Sequence, residues 1–303
     1  LEERIIDTGH STSVLSEPKF DSIGVADTYL ADDGQGIAVE ADGLARFYPY
    51  QIMSRHQLVN DVFATRNLLV SYDPLTIRPA VYLRDDTFDQ SGQVLDNNFL
   101  FTDSKTGSFW IQATGEAITG ALTGSTLKPY PWQVMSWSAF KNLYPQGQSL
   151  NRDTGYNFDY TEDPFWAYYE SNEIYYPLSH FDARAAAKEP VLGYHSDSGP
   201  AKAWLTSDLE KSSVINDELG DEALVLLHDP NQGVNIIFSR LVEKRTLDFV
   251  YRDEKLLDTE TESVWNFSGR CVSGELAGTE LNQLQLEPSY WFGWATTYPH
   301  TEL

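Results

Sequence analysis

A single cysteine, Cys271, stands among 303 residues, so an internal disulfide and a multi-cysteine zinc site are both excluded. Basic residues are scarce, 21 Lys and Arg against 45 Asp and Glu, and the formal charge of −24 repels phosphate backbones and anionic headgroups. Nucleic acid is therefore not an expected partner. No run approaches the roughly 18 apolar residues that a membrane helix needs, so no membrane span is expected. The chain has no Gly-x-Ser-x-Gly elbow and no His-Glu-x-x-His, and its glycines lack the Lys-Ser or Lys-Thr of a phosphate loop. Periods as short as those of solenoids are missing as well.

What is present is an echo. Leu58-Val59-Asn60-Asp61 returns as Val214-Ile215-Asn216-Asp217, and Tyr72-Asp73-Pro74 as His228-Asp229-Pro230, both at an offset of 156. Trp110 answers to Trp265, and Gly115, Gly120, Gly124, Trp137 and Tyr144 answer to Gly269, Gly274, Gly278, Trp291 and Tyr298, the offset drifting only to 154. These matches predict two tandem, structurally similar repeats. Residues 1–20 form an extended N-terminal arm, 21–150 the first repeat, 151–185 an inter-repeat strap and 186–303 the second repeat.

The expected class is α+β, predominantly β, each repeat a mostly antiparallel sheet or partial barrel with short helices. Asp42-Gly43 between two apolar runs predicts a hairpin, answered by Ser198-Gly199 within 190–204. The spacing of Ile52, Met53, Leu58, Val59 and Val62 predicts a short helix over 50–62. Apolar runs at 67–72 and 223–227 read as buried strands leading into the two Asp-Pro corners. Trp137, Phe140 and Tyr144, like Trp291, Trp294 and Tyr298, lie three and four apart, as on one face of a closing helix.

Several segments together carry a likeness to a known family: Glu17-Pro18-Lys19-Phe20, the run Gly43 to Pro49, His56-Gln57-Leu58-Val59-Asn60-Asp61, Trp110 with Thr114-Gly115-Glu116-Ala117, Ser149 to Gly155, Val264-Trp265-Asn266 and Thr301-Glu302-Leu303. In order and spacing the chain resembles the DUF3179 family, a domain of unknown function. The resemblance implies an exported bacterial or archaeal protein and no defined chemistry. One departure matters. Where the family usually reads Tyr-Cys-Pro-Leu-Cys-Gly, this chain reads Tyr72-Asp73-Pro74-Leu75-Thr76-Ile77, so thiolate or dithiol chemistry at that corner is absent here. The first residue, Leu1, fits a processed chain that has lost a signal peptide, and hence a secreted, periplasmic or cell-surface location.

Candidate sites follow from residue type. His56, Asp73 and His180 form a candidate polar or metal cluster, because a histidine with carboxylates can hold a divalent cation or act as a base. The opposing structural role is an Asx turn at Asp73-Pro74 and a backbone bond from His56, favoured because the position matching His56 is Ser212. Asn60, Asp61, Asn216, Asp217 and Asp229 are read as repeat-equivalent structural groups. Asp153, Asp159 and Asp163, with Glu162, are candidate calcium ligands by charge, though not in EF-hand spacing. Trp166, Tyr168 and Tyr169 offer a candidate binding surface in the strap. Three functions remain open on this footing. The first is a non-catalytic extracytoplasmic binding or assembly protein, self-assembling through its N-terminal arm. The second is a metal-binding protein or metal-dependent enzyme centred on His56 and Asp73, and the third a glycan-binding module. No cofactor is required by the sequence.

Overall fold

The computed structural model describes residues 2–303 and divides into two compact units. Unit 1 comprises the chain up to Lys188 together with Pro288–Pro299; unit 2 comprises Glu189–Glu287 and His300–Leu303. The architecture is β-rich, with several mostly antiparallel sheets and short helices. No helix of the described residues is long and apolar enough to cross a membrane.

Unit 1 begins its core with the hairpin Gln35–Ala41 and Leu44–Pro49, closed by Asp42 and Gly43 at φ 52° and 77°, the left-handed pair that a two-residue turn demands. Helix Tyr50–His56 follows and ends sooner than its spacing predicts. Gln57 turns left-handed at φ 60°, and Leu58–Phe63 is a strand, so Asn60 and Asp61 sit in a sheet and end no helix. The meander Leu58–Phe63, Arg66–Asp73, Arg78–Leu83 is the centre of unit 1. Leu68, Val70 and Tyr72 face one apolar core with Ile37, Val39 and Met53, while Leu69 faces another with Phe88, Phe99 and Trp110. The period of two then carries Ser71 and Asp73 to the second side, where the hairpin Phe88–Leu95, Asn98–Asp103 lies.

The N-terminal arm pairs inside unit 1: Ile6 registers with Val94, and Leu15 runs parallel to Val59. Each of these arm strands is two residues long and lies at the outer position of its sheet. The strap beyond Asn151 is mostly irregular, with one helical turn at Trp166–Tyr169, and groups wholly with unit 1.

Unit 2 runs through the same kinds of element in the same order: hairpin Pro190–His195 and Ala201–Leu205, helix Thr206–Ser212, then the meander Val214–Leu219, Glu222–Asp229, Val234–Ser239. Individual bonds recur with it. Asn60 donates to the Phe88 carbonyl at 2.8 Å and accepts from its N–H at 2.9 Å; Asn216 does the same with Phe249 at 2.7 and 2.8 Å. Asp103 accepts from Thr106, Ser108 and the Trp110 indole, Asp258 from Thr261 and the Trp265 indole. Asp61 takes Arg46 and the Tyr48 hydroxyl, Asp217 takes Lys202 and the Trp204 indole. At Gly115 an added Cβ would stand 2.7 Å from Tyr82, and at Gly269 2.6 Å from Phe238, so both glycines admit a ring against bare backbone. Cys271 is buried in unit 2, and burial pushes its thiol pKa up.

Candidate functional site

The Asp73–Arg78 corner of unit 1 gathers the most demanding chemistry. Asp73 ends the central strand on the face that Leu69 and Ser71 share and is 1% exposed. Pro74 holds it out of helical geometry, and its Oδ1 accepts the Leu75 N–H at 3.0 Å, an Asx turn. Oδ2 accepts from Asn98 Nδ2 at 2.8 Å and from the Phe99 N–H at 3.3 Å. Burial raises the pKa of Asp73 from 3.8 to about 6, and these donors restrain the rise. Asn98 also donates to Gln112 Oε1 at 3.0 Å, and Gln112 Nε2 donates to Ser71 Oγ and to the Arg78 carbonyl, both at 3.0 Å. The members of the network are all buried, so each bond counts for more than at a surface.

Beyond the turn, Ile77 adopts φ 54°, a left-handed conformation that a β-branched residue rarely takes. Strain of about 1–2 kcal/mol is held there by its surroundings. The Thr76 carbonyl accepts from the Tyr290 N–H at 2.9 Å, and the Leu75 carbonyl from the Tyr168 hydroxyl at 2.8 Å. Helix Trp291–Thr297 closes over the corner at Gly293, where an added Cβ would meet Thr76 Cγ2 at 2.8 Å. Arg78, 1% exposed, donates to Thr297 Oγ1 at 3.3 Å and the Tyr298 hydroxyl at 3.4 Å, with its guanidinium over the Trp294 and Tyr298 rings. A cavity of about 340 Å³ opens beside it, lined by Thr76, Arg78, Asn98, Ile111 and Thr297 among others. A second cavity, about 300 Å³ and more apolar, is lined by Asp73 itself with Gln57, Gln90, Phe99 and Tyr176.

His56 stands elsewhere. Its Nδ1–H donates to the Ser13 carbonyl at 2.6 Å, which leaves Nε2 to accept from the Tyr160 hydroxyl at 2.5 Å. Burial lowers its pKa, so the neutral ring is the form that fits. Both nitrogens are thus engaged in tying the arm and the strap to the end of helix Tyr50–His56. His180 lies in the strap with a buried Nε2 that has no partner among the described residues, and its carbonyl accepts from Thr296 Oγ1. His56, Asp73 and His180 have no hydrogen-bond partner in common. Among the described residues no three His, Cys, Asp or Glu side chains gather closely enough to hold an ion.

The other expected groups are placed as follows. Asp153 pairs with Lys19 at 2.6 Å, while Asp159 and Asp163 each accept an N–H two residues on, at Thr161 and Phe165. Trp166 is 65% exposed, Tyr169 is half-buried, and Tyr168 is buried under the Lys188 ammonium, 3.2 Å from its ring centroid. Asp229 is half-buried and makes only the turn, accepting from Asn231 and Gln232 N–H groups at 2.9 and 3.3 Å.

Thr76, Arg78, Asn98 and Gln112 escaped the sequence reading. Their signal is faint: polar residues beside or inside otherwise apolar strand runs, Arg78 before Ala80-Val81-Tyr82, Asn98 before Phe99-Leu100-Phe101, Gln112 after Phe109-Trp110-Ile111.

A family model described as a protein of unknown function, DUF3179, matches residues 13–301. No curated protein and no solved structure matches the chain.

Proposed function

Since the chain belongs to the DUF3179 family, which carries no assigned activity, we propose from the geometry that it is a non-catalytic binding protein whose small ligand occupies the cavity beside the Asp73–Arg78 corner. One observation carries this reading: both oxygens of Asp73 are taken by donors of the chain itself, from Leu75, Asn98 and Phe99. A general base needs a lone pair facing its substrate, and a carboxylate so occupied acts as a strut between the corner and the neighbouring hairpin. The adjoining cavity falls within the size range of ligand sites and joins apolar walls to a few convergent polar groups. The two units are read as copies of one frame, supported by the recurring Asn, Asp and Gly contacts, and the cavity is lined by residues of the first. An extracytoplasmic setting is the expectation attached to the family resemblance.

The test is direct. The protein is equilibrated with a mixture of small polar metabolites, freed of unbound material by gel filtration, and the retained compound identified by mass spectrometry. Unchanged ligand, stoichiometric with the chain, is expected. Conversion of a retained compound into product, abolished by Asp73→Asn, would overturn the non-catalytic reading.

A further inference from the structure

We propose that the second cavity of unit 1, the one lined by Gln57 and Gln90, binds a neutral planar aromatic amide of one or two rings. This goes beyond the ligand assigned to the cavity beside Arg78 and does not rest on it. The walls come from three segments, each pinned. On the hairpin the pairing jumps from Phe101 with Gln90 to Leu100 with Gln93, so Ser91 and Gly92 form a bulge, Gly92 at φ 71°. The arm is fastened to that bulge: the Thr8 N–H and hydroxyl both donate to the Gly92 carbonyl, at 2.9 and 2.8 Å. The strap supplies Phe165, Tyr175 and Tyr176, and Asn97 clamps Tyr176 by donating to its carbonyl at 2.6 Å and accepting its N–H at 2.8 Å. A cleft already held in this way needs little ordering when a ligand enters.

The polar edge is a pair of glutamines. Gln90 Nε2 donates to Gln57 Oε1 at 2.6 Å, and neither side chain has another hydrogen-bond partner among the described residues. Both are half-buried, unlike the sealed groups around Asp73. The pair presents Gln57 Nε2 as a donor and Gln90 Oε1 as an acceptor; turning both amides end for end exchanges these ends and still leaves one of each. A carboxamide matches such an edge, offering its C=O to the donor and its N–H to the acceptor. The ring follows from Leu75, Val94, Phe99 and Phe165 in the lining, and the size from a volume of about 300 Å³, at the small end for ligand pockets. Charge selects a neutral molecule. Among the described lining residues there is no Lys or Arg to balance an anion, and the oxygens of Asp73 are already bonded to Leu75, Asn98 and Phe99 rather than left for a cation. Unit 2 lacks the edge: Ser213, at φ 58° where Gln57 has φ 60°, carries no amide.

Calorimetric titrations of the full chain test this with benzamide and nicotinamide, against benzoate, benzylammonium and acetophenone, the last keeping the ring and the C=O without the N–H. Both amides should bind saturably, and the other three about tenfold more weakly or not at all. Gln90→Met, which keeps length and removes the amide, should weaken benzamide by about tenfold, and Gln57→Met decides if that variant fails to fold by circular dichroism. Neither glutamine lines the cavity beside Arg78, so the loss locates the site. In the unaltered chain, saturating benzamide should slow hydrogen exchange over 8–12, 90–94 and 175–176, a readout that needs no variant. No saturable binding of either amide would overturn the proposal, as would equal or tighter binding of the acid, the ammonium or the ketone, unchanged affinity in the folded variants, or protection that falls outside those segments.

Discussion

Asp73 and Asp229 begin from the same words in the sequence and end in different surroundings. Each follows a buried strand, precedes proline and accepts N–H groups of the turn it starts. In unit 2 the matter stops there, with a half-buried carboxylate and Gly233 relaxed at φ 64°. In unit 1 the following hairpin has a strand of eight residues where unit 2 has one of four, and its turn end brings Asn98 and the Phe99 N–H to the carboxylate. The glycine's place is taken by Ile77 in the same left-handed conformation. Helix Trp291–Thr297, strap and arm are then packed about that corner of unit 1. The lesson is that two units with the same order of elements carry different costs: a buried carboxylate, a strained β-branched residue and a buried arginine stand at the corner of unit 1, where unit 2 has a half-buried carboxylate, a glycine and a valine.

The comparison can be broken most forcefully at its shared part. Asp103→Ala and Asp258→Ala each strip a buried indole and a threonine turn of their acceptor, and each should cost on the order of 3 kcal/mol or more. Hydrogen exchange should show the loss in the mutated unit, with the two costs alike; a large cost for only one would break the claim of a common frame.

Next come the corners, through pH. The folded pKa of Asp73, about 6, lies above its ordinary 3.8, so the native state binds the extra proton between these values. Stability contributed by unit 1 should therefore rise as pH falls from about 6 towards 4, by up to about 3 kcal/mol for this group. Asp73→Asn should flatten that part of the profile in denaturant melts, while Asp229→Asn should leave it in place.

His56 acts in the opposite sense. Its folded pKa is lowered, so its contribution is present above the ordinary 6.5 and is lost as pH falls through the folded value. His56→Gln should cost about 1–2 kcal/mol and speed exchange in the arm and at 154–160, whereas Ser212→Ala, at the matching exposed position, should stay within about 0.5 kcal/mol. The smallest effect is expected at the turn residues: Gly233→Ala should cost about 1 kcal/mol for its left-handed φ, and Ile77→Gly, trading strain against packing, should change stability by no more than about 1 kcal/mol in melts.

Much of the frame was legible because it is local. Asp-Gly, Asp-Pro and the apolar runs announce turns and strands from near neighbours, and the echo at 154 to 156 singled out Asn60, Asp61, Asn216 and Asp217, whose bonds are as paired as their sequence. Helix Tyr50–His56 was overextended because Leu58, Val59 and Val62 satisfy a helical spacing and a strand equally well, and only the left-handed Gln57 decides. The site was hidden for a different reason. Arg78 meets Thr297 across 219 residues and Asn98 meets Asp73 across 25, contacts that no periodicity encodes. His56 and Asp73 invited pairing by chemistry alone, yet each is satisfied by its own neighbours.

The account stands on a ligand site present in unit 1 and absent from the matching corner of unit 2. Hydrogen-exchange mass spectrometry of the full chain, with and without a saturating amount of the compound retained in the gel-filtration experiment, tests it most directly. Slowed exchange confined to peptides over 73–78, 97–99, 111–114 and 290–299, with 228–236 unchanged, is the predicted result. Protection that falls on 228–236, or on neither corner, would contradict it.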